Sequence, residues 1–351
     1  GYSQRRLTEL LDLASTARVD VQVHPGVMVA GPEPICPAGG GPYQVFTPYY
    51  RKWGASPRRG LALAPDKITL PEGVEPGHLP ELAELPGGPA RSGASLPAVA
   101  GEGGESAGLG RLKAWSARHL ASYDRDRDDL AAATTSRLSA YLHFGCLSPL
   151  AVATELSGRP GGEPFVRQLA WRDFFAQLLA ARPDAAHRDY RDYGDQWHDD
   201  KDGLKAWKAG QTGFPVVDAA MRQLAGEGFM HNRARMIAAS FLTKDLYLDW
   251  RLGADHFLDL LVDADLASNQ LNWQWVAGTG TDRQPHRMFN PTVQGKRFDP
   301  KGEYVARYVP ELAGLSPSEI HDPPPQVRRA RRYPAPIVDH QAAAAAWRAR
   351  S

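Results

Sequence analysis

Residues 263–275 read DADLASNQLNWQW, so two acids, several amides and two tryptophans directly follow the apolar segment Phe257–Val262. Outward from this stretch, apolar residues recur every three or four positions through 111–121, 165–181, 215–226, 233–247 and 254–262. This spacing is typical of helices, and no strand-like alternation of comparable length occurs after residue 111. The sequence therefore predicts a mainly helical body from residue 111 onward.

The beginning of the chain has a different pattern. Leu7, Leu10, Leu11 and Ala14 follow a helical period, and residues 19–23 (VDVQV) alternate as a strand does. One helix and one strand cannot bury both faces of an α/β sheet. We therefore expect residues 1–70 to be the remnant of an α/β domain whose first strands are missing, followed by an all-α domain.

Composition separates the remaining regions. Residues 71–110 are rich in proline, glycine and serine and predict a linker, 111–315 form the helical domain, and 316–351 form a C-terminal tail with a short exposed helix at 342–350. The net charge of +1 gives no evidence for nucleic acid, and no apolar run is long enough to cross a bilayer. Cys36 and Cys146 lack the spacing of metal ligands, so we expect no metal site.

Two segments contain groups that bind anions or nucleobases. Residues 134–139 (TTSRLS) place hydroxyls and Arg137 at a predicted helix start, where free backbone N–H groups make an anion site, but a simple N-cap is favoured for this segment alone. In the helix 165–179, Gln168, Trp171 and Phe175 share one face. An amide beside a flat ring suits a nucleobase, whereas spacing alone favours core packing.

Two further segments combine charges with aromatic or thioether groups. In MHNRARM (230–236), arginine suits phosphate, asparagine suits base edges and methionine suits flat apolar surfaces; the alternative is a solvated basic helix face. The acids at 263 and 265 need partners if they are buried, and Arg235 is a candidate. Six of the nine tryptophans lie between residues 171 and 275, which normally indicates core, although indoles also carry electrons.

Eight segments, in the same order, resemble the DNA photolyase/cryptochrome family, and specifically its class I cyclobutane-pyrimidine-dimer photolyases. They are YQVFTPYYRKW (43–53), TSRLSAYLHFGCLSP (135–149), QLAWRDFF (168–175), TGFPVVDAAMRQL (212–224), MHNRARM (230–236), NWQWVAGTGTD (272–282), FNPTVQGKRFDP (289–300) and YPAPIVDH (333–340). Together they extend over most of the chain, which makes the resemblance very specific.

The resemblance implies a noncovalent FAD, held in a bent conformation inside the helical domain. Asn269 matches the residue beside flavin N5, and Arg235 matches the partner of Asp263 in a pair that keeps the acid charged. The positions that match other flavin contacts are Tyr123, Thr135, Ser136, Arg137, Leu138, Ser139, Arg172, Arg235, Asp263, Ala264 and Asp265.

The resemblance also implies an electron relay and a lesion site. Trp273 matches the tryptophan nearest the flavin, Trp250 the middle one and Trp197 the one at the surface. The implied activity is light-driven repair of cyclobutane pyrimidine dimers in damaged DNA. The implied protein is a cytoplasmic monomer. The pyrimidine dimer is flipped out of the DNA and takes an electron from excited reduced FAD. The residues that match contacts to the lesion or the DNA are Arg127, Gln168, Trp171, Asn232, Arg233, Met236 and Trp275.

Two departures from the family pattern bear on this interpretation. Gln168 stands where many class I enzymes have a glutamate, and (6-4) photolyases and animal cryptochromes have glutamine there, although they place histidines at Asn232 and Met236. A cryptochrome blue-light receptor and a (6-4) photolyase are therefore the alternatives. An antenna chromophore of the deazaflavin or folate type is not expected to bind, because the first strands of the family, which help to form its pocket, are absent.

Overall fold

The computed structural model describes residues 2–23, 26–31, 35–62, 65–67, 69–80, 84, 103–282, 284 and 286–350. Within them, two 3₁₀ turns (Pro183–Ala186 and Pro310–Leu312) and one π turn (Phe241–Asp245) accompany the α-helices. In chain order these helices are α1 (Tyr2–Ala17), α2 (Phe46–Ala55), α3 (Glu105–His119), α4 (Tyr123–Asp126), α5 (Ser139–His143), α6 (Pro149–Leu156), α7 (Gly162–Ala181), α8 (Lys201–Ala209), α9 (Pro215–Glu227), α10 (Asn232–Ser240), α11 (Trp250–Leu260), α12 (Leu266–Ala277), α13 (Pro291–Phe298), α14 (Glu303–Tyr308), α15 (Pro317–Ile320), α16 (Pro325–Arg331) and α17 (His340–Arg350).

Helix α12 lies between two hydrophobic cores and contributes side chains to both. Ala267 and Leu271 belong to the core built around α7, whereas Trp273 and Val276 belong to the core built around α9, α10 and α11. The helix packs directly against α7, α10 and α11. A helix with apolar side chains on more than one face is buried, so α12 is a shared interior element that joins the two halves of the helical body.

The sequence of α12 fixes where this helix begins and ends. Asp265 is the N-cap residue, and its carboxylate accepts a hydrogen bond from the Ser268 backbone N–H at 2.8 Å. The helix ends at Gly278, whose φ of 99° is accessible to glycine at little cost. An N-cap of this kind stabilises a helix by about 1 kcal/mol. The cap therefore holds the acidic residues Asp263 and Asp265 at a defined place beside the first turn of α12.

The prediction of a mainly helical body is confirmed, but the strand predicted at residues 19–23 is wrong. Helix α1 forms, yet its side chains at Leu10 and Leu13 are 50% and 69% exposed, and residues 19–23 have no regular structure. A strand requires a neighbouring strand that accepts its backbone hydrogen bonds. The described residues contain no such partner, so the α/β remnant predicted for residues 1–70 is not found among them.

The start of α3 and the exposure of the C-terminal helix also differ from the prediction. Helix α3 begins at Glu105 rather than after residue 110, and much of the predicted linker 71–110 (81–83 and 85–102) lies outside the described residues. The predicted C-terminal helix forms as α17, but it is not exposed throughout, because Trp347 is buried and its indole N–H donates to the His286 carbonyl at 2.9 Å. The helix is therefore docked on the body.

A buried carboxylate ties the N-terminal segment to α7. Asp173 accepts hydrogen bonds from the backbone N–H groups of Val29 and Ala30 at 3.0 and 2.9 Å, and from the indole N–H of Trp53 at 3.0 Å. Burial raises the pKa of Asp173, and the three donors act against that rise. Segments more than a hundred residues apart are thus fixed to the helix that also carries Trp171.

None of the helices described is both long and apolar enough to cross a membrane. The same residues contain no group of three or more histidine, cysteine, aspartate or glutamate side chains arranged to hold a metal ion.

We predict that Asp173→Ala destabilises the protein by about 3 kcal/mol, because three buried donors lose their acceptor at once. The measurement is the free energy of unfolding in urea. Asp199→Ala is the matched control, since Asp199 is exposed, and its effect should stay within about 0.5 kcal/mol. Equal, small effects of the two substitutions would contradict the role given to Asp173.

Candidate flavin and lesion site

The described residues surround a cavity of about 720 Å³, lined by α7, α10 and α12 and by the segments 135–139 and 263–265. Of the site residues predicted from the sequence, only Trp197 and Trp250 do not line it. The predicted residues that do line it are Tyr123, Arg127, Thr135, Ser136, Arg137, Leu138, Ser139, Gln168, Trp171, Arg172, Asn232, Arg233, Arg235, Met236, Asp263, Ala264, Asp265, Asn269, Trp273 and Trp275.

An ion pair joins two walls of the cavity. The Arg235 guanidinium lies 2.8 Å from the Asp263 carboxylate and also donates to the Met230 carbonyl at 2.8 Å. Burial alone would raise the pKa of Asp263, but the Arg235 charge, together with hydrogen bonds from Arg235 and Ser139, holds that pKa below its ordinary value. The acid is therefore ionised at neutral pH, and it connects α10 to the segment that precedes α12.

The segment 135–139 does not form the N-cap that was favoured from the sequence. Leu138 is the N-cap residue of α5 and makes no side-chain cap, while the Ser136 hydroxyl accepts a hydrogen bond from the Leu138 N–H at 3.3 Å. Arg137 has a φ of 53°, and its guanidinium contacts Glu227 at 3.1 Å and lies 4.3 Å from the Phe229 ring centre. The segment thus lines the cavity with hydroxyls while a neighbouring acid and ring hold its arginine.

Aromatic rings hold Trp171 at the cavity wall. The Phe46 ring is stacked on the indole with a centroid distance of 3.6 Å and an interplanar angle of 7°, and Phe175 packs at 5.4 Å. Stacking of this kind fixes the plane of a large ring with few rotatable bonds. Gln168, one turn earlier on α7, lines the same cavity. The amide and the flat ring predicted to share a helix face therefore both line this cavity.

Several basic residues beside the cavity are paired with acids. The Arg233 guanidinium lies 2.8 Å from Asp128, and Arg127 lies 3.3 Å from Asp124. Asn232 lies at the first turn of α10, and its amide is within 4.0 Å of the sulfur of Met236. A solvated basic helix face does not describe this segment, because Arg233 and Arg235 are each mostly buried beside an acid.

Asn269 is held rigidly on α12. Its side-chain amide donates to the Ala254 carbonyl and to the Gln270 side-chain carbonyl, each at 3.0 Å. These two bonds use the two N–H donors of the amide and fix its plane at the wall of the cavity.

The three tryptophans of the predicted relay differ in burial. Trp273 lines the cavity and is buried, Trp250 is fully buried, and Trp197 is half-buried. The Trp250 indole N–H donates to Asp189 at 2.7 Å. Helix α11 packs against Trp273 at Gly253, where a Cβ would lie only 2.2 Å from the indole Cη2. Trp273 and Trp250 are thus interior side chains, whereas Trp197 is partly exposed to solvent.

Sequence reasoning missed several residues that shape the cavity. Asp128 lines it and pairs with Arg233, Phe229 lines it beside Arg137, and Phe46 backs Trp171. Asp128 lies within a run of charges where no local pattern singles out one carboxylate. Phe46 belongs to the segment YQVFTPYYRKW, but nothing in its spacing indicates a partner 125 positions away.

Comparison with known proteins places these features in a family. A model of the FAD binding domain of DNA photolyase matches residues 165–351. The chain is 50% identical to the deoxyribodipyrimidine photo-lyase of Streptomyces griseus over 348 residues, which is 96% of this chain and 74% of that relative. It is 38% identical to the Escherichia coli deoxyribodipyrimidine photo-lyase over 317 residues, 86% of this chain and 66% of that one.

Solved structures give the same result. A bacterial class III photolyase from Agrobacterium tumefaciens is similar with a TM-score of 0.88 and 36% identity, over 99% of this chain and 76% of that one. A Synechocystis cryptochrome is similar with a TM-score of 0.87 and 28% identity, over 97% and 75% of the two chains. Fold and site therefore define a helical flavin-domain protein. The chain belongs to the DNA photolyase/cryptochrome family.

The residues around the cavity fit FAD. The volume lies within the range of pockets that enclose a cofactor, roughly 300–1,000 Å³. Hydroxyls and an arginine in the lining suit an anionic diphosphate, and an ionised Asp263, a fixed amide at Asn269 and the indole of Trp273 suit a polar, flat ring.

We predict that Asp263→Asn destabilises the protein by about 3 kcal/mol at neutral pH, because it leaves Arg235 without a counter-charge. Since the folded pKa of Asp263 is lowered, the ionised pair stabilises the protein above the unfolded value near 4 and loses that effect as the pH falls through the folded pKa. Urea unfolding at several pH values checks this. The difference in the free energy of unfolding between variant and parent should become smaller at acidic pH. A difference that does not change with pH contradicts the assignment.

Proposed function

We propose that this protein repairs cyclobutane pyrimidine dimers in DNA by light-driven electron transfer, as a deoxyribodipyrimidine photo-lyase. The observation that carries the proposal is that residues matching the family's flavin contacts and residues matching its lesion contacts line one cavity. The relatives named deoxyribodipyrimidine photo-lyase support this choice of reaction. FAD, when bound in its reduced form, supplies under light the electron that splits the dimer and accepts it again afterwards.

The cofactor would be held by the inner part of the cavity. Thr135 and Ser136 would donate hydrogen bonds to its phosphates, and Arg235 and Ser139 would keep Asp263 ionised against its polar ring atoms. Asn269, fixed by two hydrogen bonds, would hold its amide at the ring edge. The remaining residues assigned to flavin binding are Tyr123, Arg137, Leu138, Arg172, Ala264 and Asp265.

The lesion would enter through the wall formed by α7, α10 and the end of α12. Trp171, already stacked on Phe46, would give the flipped dimer a rigid flat surface and so reduce the cost of ordering the site. Trp275 would form the facing wall, with Gln168, Asn232 and Met236 at the base edges. Arg127 and Arg233 would contact the DNA backbone, and the acids beside them would orient the guanidinium groups until phosphate replaces them.

We assign Trp273, Trp250 and Trp197 to a relay that brings electrons from the surface to the flavin pocket. Such a relay would reduce the cofactor and is separate from repair itself. The decrease in burial from Trp273 and Trp250 to Trp197 supports this direction.

The proposal concerns the reaction rather than the subclass. The sequence motifs favour class I, whereas the similar A. tumefaciens structure is a class III photolyase. The cytoplasmic monomer and the absence of an antenna chromophore stay predictions. A light-sensing role is the second candidate, since a Synechocystis cryptochrome has nearly the same backbone.

The decisive experiment is light-dependent reversal of dimers in a short oligothymidylate by the reduced, flavin-loaded protein. We expect reversal under blue light and none in the dark. Intact dimers under blue light refute repair and favour the light-sensing role. Reversal of (6-4) photoproducts instead of cyclobutane dimers would identify the protein as a (6-4) photolyase, which is the alternative that Gln168 raises.

We predict that Trp273→Phe slows photoreduction of the flavin by at least about tenfold, a barrier change of roughly 1.4 kcal/mol. Repair by chemically reduced protein should stay nearly unchanged, because the relay is not used in repair. The control is Trp207→Phe, which removes another buried indole that packs against Trp273 at 6.1 Å. Equal loss of photoreduction and repair, or an equal effect of both substitutions, would refute the relay.

A further inference from the structure

A buried amide on α12 lies next to the amide of Asn269. Gln270 is 1% exposed; its Nε2 donates to the Ala186 carbonyl at 2.9 Å, and its Oε1 accepts from the Asn269 Nδ2 at 3.0 Å. Asn269 Nδ2 also donates to the Ala254 carbonyl at 3.0 Å. A buried polar side chain costs free energy unless its polar atoms are paired, and both polar atoms of Gln270 are paired here.

These hydrogen bonds allow one orientation of the two amides. A backbone carbonyl only accepts, so the Ala186 carbonyl requires the Nε2 end of Gln270, and Oε1 is turned towards Asn269. Asn269 must then direct Nδ2 at both Oε1 and the Ala254 carbonyl. Its carbonyl oxygen Oδ1 is the arm of the planar amide that is left for the cavity, which Asn269 lines. This amide therefore presents an acceptor to the cavity rather than a donor.

A second buried glutamine fixes the beginning of this chain of bonds. Gln274, one turn after Gln270 on α12, is fully buried, and its amide makes three hydrogen bonds of 2.6–3.2 Å with backbone groups of residues 185–190. The segment is thereby attached to α12, so the Ala186 carbonyl stays directed at Gln270. Both glutamines hold the same segment, and of the two it is Gln270 that is bonded to Asn269.

We propose that Gln270 is a positioning residue that makes the pocket selective for the reduced form of its flavin. The inference rests on the flavin site proposed above, in which Asn269 lies at the N5 edge of the ring. Reduced flavin carries a hydrogen on N5, whereas N5 of oxidised flavin is itself an acceptor. With Oδ1 of Asn269 held towards the ring, the reduced form gains a hydrogen bond and the oxidised form meets a second lone pair. Gln270 acts through Asn269 and is outside the cavity lining.

The selectivity depends on the amide of Asn269 being unable to turn. A freely turning amide would offer Oδ1 to reduced flavin and Nδ2 to oxidised flavin, and it would select neither form. Gln270 opposes that turn, because a turned Asn269 would place Oδ1 against the oxygens of Gln270 and Ala254. The difference in affinity for the two forms is the free energy by which the pocket shifts the flavin potential. The pocket thus favours the form that gives the electron in the proposed reaction.

The first test is the two-electron midpoint potential of the bound flavin in the parent, Gln270→Leu and Gln274→Leu. In Gln270→Leu, the ratio of reduced to oxidised flavin at one applied potential should fall at least about tenfold, equivalent to a potential about 30 mV lower. Gln274→Leu is the matched control, since it removes a buried amide from the same helix and loosens the same segment without touching Asn269. It should keep the potential of the parent.

A second readout needs only the parent protein, so it decides the matter even where a leucine variant fails to fold. In 5-deaza-FAD a C–H group replaces N5, so the oxidised compound has no lone pair at that position. Flavin-loaded protein is equilibrated with oxidised 5-deaza-FAD, and the exchange constant is measured from the absorbance of the bound cofactor. Oxidised 5-deaza-FAD should be preferred over oxidised FAD by at least about tenfold. In folded Gln270→Leu this preference should be lost.

The outcomes separate the inference from the function on which it rests. Equal potentials in parent and Gln270→Leu overturn the inference, as does an exchange constant near one in the parent; neither affects the proposed repair, which dimer reversal measures independently. Equal shifts in Gln270→Leu and Gln274→Leu assign the effect to the loosened segment and also overturn it. A protein that holds no flavin refutes the proposed site and the inference together.

Discussion

The ion pair between Arg235 and Asp263 is the interaction on which the geometry of the cavity depends. It closes a contact between α10 and the turn before α12, and Ser139 joins it from a third segment. Breaking such a pair inside a protein leaves an uncompensated charge, so the three segments cannot separate without a large cost. A planar guanidinium with five donors suits this task, because it also binds the Met230 carbonyl.

Helix α12, which follows the ion pair in the chain, fixes the relative positions of the other site residues. It is packed between two cores, and it carries Asn269, Trp273 and Trp275, all of which line the cavity. The cap at Asp265 fixes its beginning and Gly278 its end. Because a buried, capped helix has little freedom to shift, the residues assigned to cofactor, relay and lesion keep one mutual geometry.

Much of this organisation follows from the sequence, and the exceptions share one physical cause. Period-3.6 patterns gave the helices, and the i, i+3, i+7 spacing brought Gln168, Trp171 and Phe175 to one cavity. The alternation in residues 19–23 misled, because a strand exists only with a partner. The stack of Phe46 on Trp171 and the three bonds to Asp173 connect distant segments, and no local pattern encodes them. Spacing alone could not distinguish core packing from a binding site for Gln168, Trp171 and Phe175. The structure shows that all three line the cavity.

Phe46, from the N-terminal segment, is stacked on Trp171. The N-terminal segment therefore supports the cavity wall from behind, although α7 and other elements supply the side chains that line the cavity. The same segment supplies Val29, Ala30 and Trp53 to Asp173 on the helix of Trp171. A minimal fragment cut where the helical periodicity begins, at residue 111, would keep most of the residues that face the cavity but lose the support behind them. The functional boundary of the catalytic half therefore lies before Val29, some eighty residues ahead of its compositional boundary.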